Sequence, residues 1–141
     1  IGVVCFISQL ILLGNVLAQD RRYVHSDTAN IRMKPDVKSE KLWEVEKYHP
    51  FDVLETKGKW CRIKDYAGDV AWVYKPLLSK GRTVITRVSK SNVRSEGSLG
   101  GRILFTVAKG VPFKVLDQTK KWYKVQHADG DTGWISKKLV W

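Results

Sequence analysis

Cysteine, histidine and methionine are scarce in this sequence, and each shortage excludes a class of chemistry. There are two cysteines, three histidines and one methionine in 141 residues. Cys5 lies in an apolar leader; once that leader is removed Cys61 stands alone, so a disulfide framework within one chain is excluded. No Cys-x-x-Cys occurs and His25, His49 and His127 show no ligand spacing, so no metal and no cofactor is expected. After residue 18 no stretch of ten or more residues has its apolar positions at a 3.6-residue period, which argues against helices. Acidic side chains are few: 14 against 25 basic ones, a net charge of +11.

Residues 1–18 carry no charge and are rich in Ile, Leu and Val. They end in Val16-Leu17-Ala18, small or short residues of the kind a signal peptidase reads. The expectation is a secretory signal peptide cut before Gln19, with an uncleaved membrane anchor as the alternative. Eighteen residues interrupted by Gly14-Asn15 are slightly short for a span of about 20. The run has no Met and no basic stretch before it, so the true start is expected upstream.

The rest of the chain is built on a repeat. Gly68-Asp69-Val70-Ala71-Trp72-Val73 returns 62 residues later as Gly130-Asp131-Thr132-Gly133-Trp134-Ile135. The same offset relates Asn30-Ile31-Arg32 to Asn92-Val93-Arg94, Pro50-Phe51 to Pro112-Phe113, Val53-Leu54 to Val115-Leu116 and Lys59-Trp60 to Lys121-Trp122. About a third of aligned positions are identical without a gap, so the chain holds two copies of one unit. The expected domains are 20–79 and 83–141, joined by a short link over 78–83 that lets them touch without locking. A unit of about 60 residues buries a modest core. Charge is shared unevenly: residues 19–79 carry 12 Lys and Arg against 10 Asp and Glu, +2, and residues 80–141 carry 13 against 4, +9. Such asymmetry suggests that only the second copy meets an anionic surface.

Within a copy the pattern is of short strands. In the first, 29–33, 41–46, 51–55, 60–64 and 69–73 read as strands, with a long loop over 34–41 and turns at Lys57-Gly58 and at Tyr66-Ala67-Gly68-Asp69. The second copy has Ala128-Asp129-Gly130-Asp131 at that last turn, a strong hairpin signal. Five short strands with tight turns predict a small closed barrel. Alternation assigns faces. Cys61 with Ile63, and Tyr123 with Val125, point inward. Trp60, Arg62 and Lys64 share the other face, as do Trp122, Lys124 and Gln126, and a face carrying Arg, Lys and Gln is not a core. Trp60 and Trp122 are therefore placed at the rim or outer surface. Val73 and Ile135 point in, and Trp72 and Trp134 point away, toward a barrel end or the contact between copies.

Catalysis finds little support in these residues. Cys61 with His25 and His49 can be imagined as a thiol–imidazole site, but Cys61 sits inside an alternating strand and reads as a buried structural thiol. Asp129 and Asp131 flank Gly130 as turn residues do, and Asn30 and Asn92 are expected to cap loops. An outward Trp can stack on a sugar or hold an extended peptide. In the second copy Arg94, Arg102, Lys120, Lys121 and Lys124 are cations that can pair with carboxylate or phosphate.

Asn92-Val93-Arg94-Ser95-Glu96-Gly97, Val107-Ala108-Lys109-Gly110, Val115-Leu116, Trp122-Tyr123-Lys124-Val125 and Gly130-Asp131-Thr132-Gly133-Trp134-Ile135 together resemble a bacterial SH3-type (SH3b, SH3 type 3) domain. The resemblance spans both copies. The first is more divergent, with Met33-Lys34 after its Asn-x-Arg, Cys61 at the aromatic position and Ala71 where the second has Gly133. It implies an all-β fold of two tandem SH3-like barrels, a place in the cell envelope and recognition of cell-wall peptides or glycans. It also implies that Trp60 and Trp122 match the Trp bordering the peptide groove of SH3 domains, beside the loops 34–41 and 96–102. The expected protein is thus a secreted or periplasmic, non-catalytic binder of a cell-wall polymer or peptide, peptidoglycan first. An adaptor docking an envelope protein is the alternative. Nucleic-acid binding by the basic copy is disfavoured by the leader, and membrane contact is expected only if the leader is uncleaved.

Overall fold

The structure, a computed structural model, describes residues 20–141, so the leader expected over 1–18 lies outside the described residues. The first unit runs through β1 (Asp20–Val24), β2 (Thr28–Arg32), β3 (Lys41–Glu46), β4 (Pro50–Lys57), β5 (Trp60–Lys64), β6 (Val70–Tyr74), a 3-10 turn (Lys75–Leu77) and β7 (Leu78–Lys80). The second runs through β8 (Thr83–Ile85), β9 (Ser91–Arg94), β10 (Ile103–Val107), β11 (Pro112–Gln118), β12 (Trp122–Gln126), β13 (Thr132–Ser136) and a 3-10 turn (Lys137–Leu139). The sheets have the orders β3-β2-β6-β5-β4-β1-β7 and β10-β9-β13-β12-β11-β8. Apart from β7, these orders are one topology displaced by 62 residues. The Val24↔Leu78 pair of β1 and β7 even has its counterpart in the isolated bridge Thr86↔Val140. The chain is all-β among its described residues and forms two tandem SH3-like barrels.

The inward faces are those that alternation marks. Cys61, Ile63, Val73, Val125 and Ile135 are fully buried and Tyr123 nearly so, while Trp60, Trp72, Trp122 and Trp134 are half-buried. Each barrel has its own core, the first around Phe51, Ile31 and Ile63, the second around Phe113, Val93 and Val125. Two adjacent apolar residues at Val53-Leu54 and again at Val115-Leu116 break the alternation. The register slips at both places, between Val53 and Glu55 and between Val115 and Asp117. Such a bulge turns one side chain of the pair out, and Leu54 and Leu116 are the exposed ones.

Three strands, β1, β7 and β8, escape the sequence pattern, and all matter for how the units meet. β1, in a polar stretch, pairs with β4 and β7. β8 has three buried residues in succession, Thr83, Val84 and Ile85, so both of its faces are covered. Val84 joins the second core, and β8 also contacts β4 of the first barrel. The link expected over 78–83 is thereby corrected: Leu78, buried at the end of the first core, continues as β7, and only residues 81–82 join β7 to β8. Arg21 fastens the junction. Its guanidinium lies 3.9 Å above the Trp141 ring and Nη2 donates to the Thr83 carbonyl at 3.4 Å. Burial lowers its pKa, with the nearby Asp52 carboxylate acting in the opposite direction.

Gly133 shows how tightly the second core is closed. A Cβ there would stand 2.5 Å from Val93 Cγ1 and 3.0 Å from the Arg94 carbonyl oxygen. Gly133→Ala is expected to cost about 1–3 kcal/mol through overpacking, read as a lower urea midpoint; an unchanged midpoint contradicts this packing.

His49 is only 8% exposed and packs on the Phe51 ring at 4.8 Å. Burial lowers its pKa from 6.5 to about 4. Between those values the unfolded chain binds a proton that the folded chain refuses, so stability is full above pH 6.5 and falls as the pH drops through the window. Unfolding free energy should decrease by about 2 kcal/mol from pH 7 to pH 5 on account of this group. His49→Val, which copies Val111 of the second unit, should flatten that slope in urea titrations at both pH values. An unaltered slope in the variant assigns the pH dependence elsewhere.

Candidate ligand grooves

The long loop between β2 and β3, and its counterpart between β9 and β10, have different sequences and the same backbone. Met33 N–H donates to the Glu40 carbonyl at 3.0 Å, and Ser95 N–H to that of Arg102 at 2.8 Å. Ser39 N–H donates to the Asp36 carbonyl at 3.0 Å, and Gly101 N–H to that of Ser98 at 3.1 Å. The arginine of each Asn-x-Arg motif holds the loop from below. Arg32 Nη1 donates to the Ser39 carbonyl at 2.8 Å, and Arg94 Nη1 donates to the equivalent Gly101 carbonyl at 2.9 Å and to Leu99 at 3.0 Å. A charged donor to a carbonyl is among the stronger hydrogen bonds a protein makes.

Held in this way, each loop forms one wall of a groove whose floor carries the first residue of β5, Trp60, or of β12, Trp122. The first groove, of about 390 Å³, is lined by Asn30, Arg32, Val37, Trp60, Tyr74 and Leu77. The Trp60 and Tyr74 rings pack together at 5.5 Å. The second, of about 600 Å³, has Leu99, Trp122 and Ser136 with Lys120, Lys121, Lys137 and Lys138. Gly97 brings the loop close to the aromatic floor: a Cβ there would stand 3.3 Å from Trp122 Cβ and 3.1 Å from Trp134 Cε3. Val37 and Leu99, equivalent at the loop tips, are 69% and 81% exposed.

The residues singled out in the sequence divide accordingly. Trp60 and Trp122 line grooves, and Lys120 and Lys121 line the second. Arg94 spends its guanidinium on the loop carbonyls. Arg102 is exposed at the loop's end, its backbone N–H bonded to Ser95 Oγ at 3.1 Å, and Lys124 lies opposite Trp134 in the β12–β13 pair; neither lines the groove. Trp134 is not turned toward the neighbouring barrel but sits under Gly97 beside Trp122. Asn92 caps no loop: its Oδ1 accepts from the Thr106 hydroxyl at 3.0 Å across the β9–β10 pair. The groove residues that sequence patterns missed are Asn30, Arg32, Val37, Tyr74 and Leu77 in the first and Gly97, Ser98, Leu99, Ser136, Lys137 and Lys138 in the second. Val37 and Leu99 carry a usable signal, an apolar residue recurring at one offset in two otherwise polar loops. The two lysines sit in a 3-10 turn with no period to betray their direction.

The other candidates are structural. Cys61 is buried, with Thr56 Oγ1 at 3.8 Å from its sulfur. His25 Nε2 donates to the Pro76 carbonyl at 2.7 Å. Asp129 Oδ1 accepts the Asp131 N–H at 2.9 Å, which lowers the Asp129 pKa; Asp65 Oδ1 accepts the N–H groups of Ala67 at 3.0 Å and Asp69 at 2.9 Å in the first copy, but burial outweighs these bonds and raises its pKa. Among the described residues no group of three or more His, Cys, Asp or Glu could hold a metal ion. No helix among them is long and apolar enough to cross a membrane.

Two family models, each described as "Bacterial SH3 domain", match the chain, one over residues 25–80 and the other over residues 88–140. The chain belongs to the bacterial SH3 domain family. Domains of this family are typically binding domains, and typically extracellular or envelope-associated. No curated protein matches the chain. Similar solved structures include NlpC2 from Trichomonas vaginalis, at 15% identity and a TM-score of 0.39 over 87% of this chain and 48% of that one. NlpC1 from the same organism gives 16% and 0.39 over 86% and 45%. An NlpC/P60 family protein from Bacillus cereus gives 14% and 0.40 over 86% and 55%. The chain spans about half the length of these structures.

Arg94→Ala removes both bonds to the second loop. It is expected to lower stability by about 1–3 kcal/mol and to speed amide hydrogen exchange over residues 95–102. Exchange as slow as in the unmutated protein would show that the loop does not depend on the arginine.

Proposed function

We propose that the chain is a non-catalytic binding protein of the cell envelope that recognises peptidoglycan, its peptide or its glycan, through the grooves beside Trp60 and Trp122. The observation that carries this reading is recurrence. Two loops of unlike sequence, Lys34-Pro35-Asp36-Val37-Lys38-Ser39 and Glu96-Gly97-Ser98-Leu99-Gly100-Gly101, keep one conformation. In both barrels that conformation leaves a Trp and an exposed aliphatic side chain facing a groove. An apolar floor with polar walls suits an extended peptide or a sugar ring. Family membership supports the envelope as the location, as does the apolar leader of residues 1–18.

A single groove of this size gives weak binding, about −4 to −8 kcal/mol. The two domains gain by avidity where one polymer reaches both grooves. Docking of an envelope protein is the second reading, favoured by the exposed Val37 and Leu99 at the loop tips. Sedimentation with insoluble peptidoglycan tests the first. The unmutated protein should pellet with the polymer, and Trp122→Ala should weaken binding about tenfold, the loss usual for an anchoring aromatic. Equal binding by the variant removes Trp122 from the site.

A further inference from the structure

The chain supplies its own control for what each groove selects, because equivalent positions can be compared across the 62-residue offset. Lys120 stands where the first copy has Gly58, and Lys138 where it has Pro76; Lys121 and Lys137 match Lys59 and Lys75. Four lysines therefore line the second groove, from two separate turns, whereas no lysine lines the first. None of the four makes an ion pair among the described residues: the salt bridges found there are Arg22–Asp20, Lys41–Glu44, Arg62–Glu55 and His127–Asp129. Lys137 Nζ instead donates to Gln118 Oε1 at 2.8 Å and lies 4.7 Å over the Tyr123 ring. No carboxylate lines this groove.

We infer that the second groove binds an acidic peptide through its free carboxylates, while the first groove takes an uncharged segment. The inference rests on the proposal that the grooves are the ligand sites and adds the chemistry of one of them. Two features favour a peptide over a phosphodiester chain. Trp122 in the floor and Leu99 in the wall give an apolar surface for side chains between the cations. Among the described residues that line the groove Trp122 is the one aromatic, Trp134 being covered by Gly97 and the position of Tyr74 being taken by Ser136. Single-stranded nucleic acid is usually held by stacking successive bases on several aromatic rings. A peptide carrying carboxylates at intervals places one near the turn bearing Lys120 and Lys121 and another near Lys137 and Lys138. Pairs of this kind, partly exposed, contribute modestly one by one and are screened by salt.

The test compares a short synthetic peptide bearing two free carboxylates with the same peptide carrying carboxamides, titrated into the full chain by calorimetry at low and at physiological ionic strength. The carboxylate form should bind about fivefold more tightly at low salt, with the difference shrinking as salt rises. In Lys121→Gln/Lys138→Gln, both exposed positions, the two forms should bind alike. Trp122→Ala should weaken both forms. Equal affinity of the two forms, with binding still lost in Trp122→Ala, overturns the carboxylate inference and leaves the groove intact. Failure of both forms to bind overturns the groove reading and the inference with it. Displacement of the carboxylate peptide by an oligonucleotide of equal charge at a lower concentration assigns the lysines to phosphate instead.

Discussion

An arginine reaching up to a loop carbonyl is the interaction on which both candidate sites depend. Each long loop leaves its barrel and returns with few cross-strand bonds of its own, so without an anchor it would sample many conformations at an entropic cost for every ordered state. Arg32 and Arg94 project from the strand below and donate to Ser39 and Gly101, the same carbonyl in the repeat. One donor thus fixes a wall against the Trp60 or Trp122 floor. That anchor explains how the loop sequence is free to change while the groove is kept: the bonds that shape it are made by backbone atoms and by the arginine.

The junction between barrels is a second constraint. With residues 81–82 alone between β7 and β8, and with β8 covered on both faces, the second domain starts against the first. The charge difference between the copies is therefore carried by domains in contact. Its basic share gathers in part around one groove, where Lys120 and Lys138 replace a glycine and a proline. Duplication supplied two equal frames, and substitution at a few rim positions made their surroundings unlike.

Much of this is legible in the residues. Period-two alternation tells the inward Cys61, Ile63, Tyr123 and Val125 from the outward tryptophans, because the side-chain period of a strand is a local property. The 62-residue offset reveals the tandem organisation. The hidden part is set by tertiary packing. β1 and β8 have no alternating pattern, since their burial comes from neighbouring strands and from the other barrel. Arg94 reads as a cation free for a ligand and Lys137 carries no signal; only the fold shows that the first is spent on a loop while the second lines a groove. Alternation puts Trp134 correctly off the core but leaves its neighbour open, because it gives a face and not what covers it; that cover is the loop at Gly97, not the other barrel.

Assignment of the ligand surface by NMR gives the most direct measurement. Soluble peptidoglycan fragments are titrated into the full chain while the indole N–H signals of its six tryptophans are followed. The Trp60 and Trp122 signals, with the amides of residues 33–40 and 95–102, should move progressively and saturate, and the signal of Trp43, a β3 residue that packs on the first core and lines neither groove, should stay in place. Saturable binding that moves Trp43 and leaves Trp60 and Trp122 unshifted would contradict the grooves as the site of recognition.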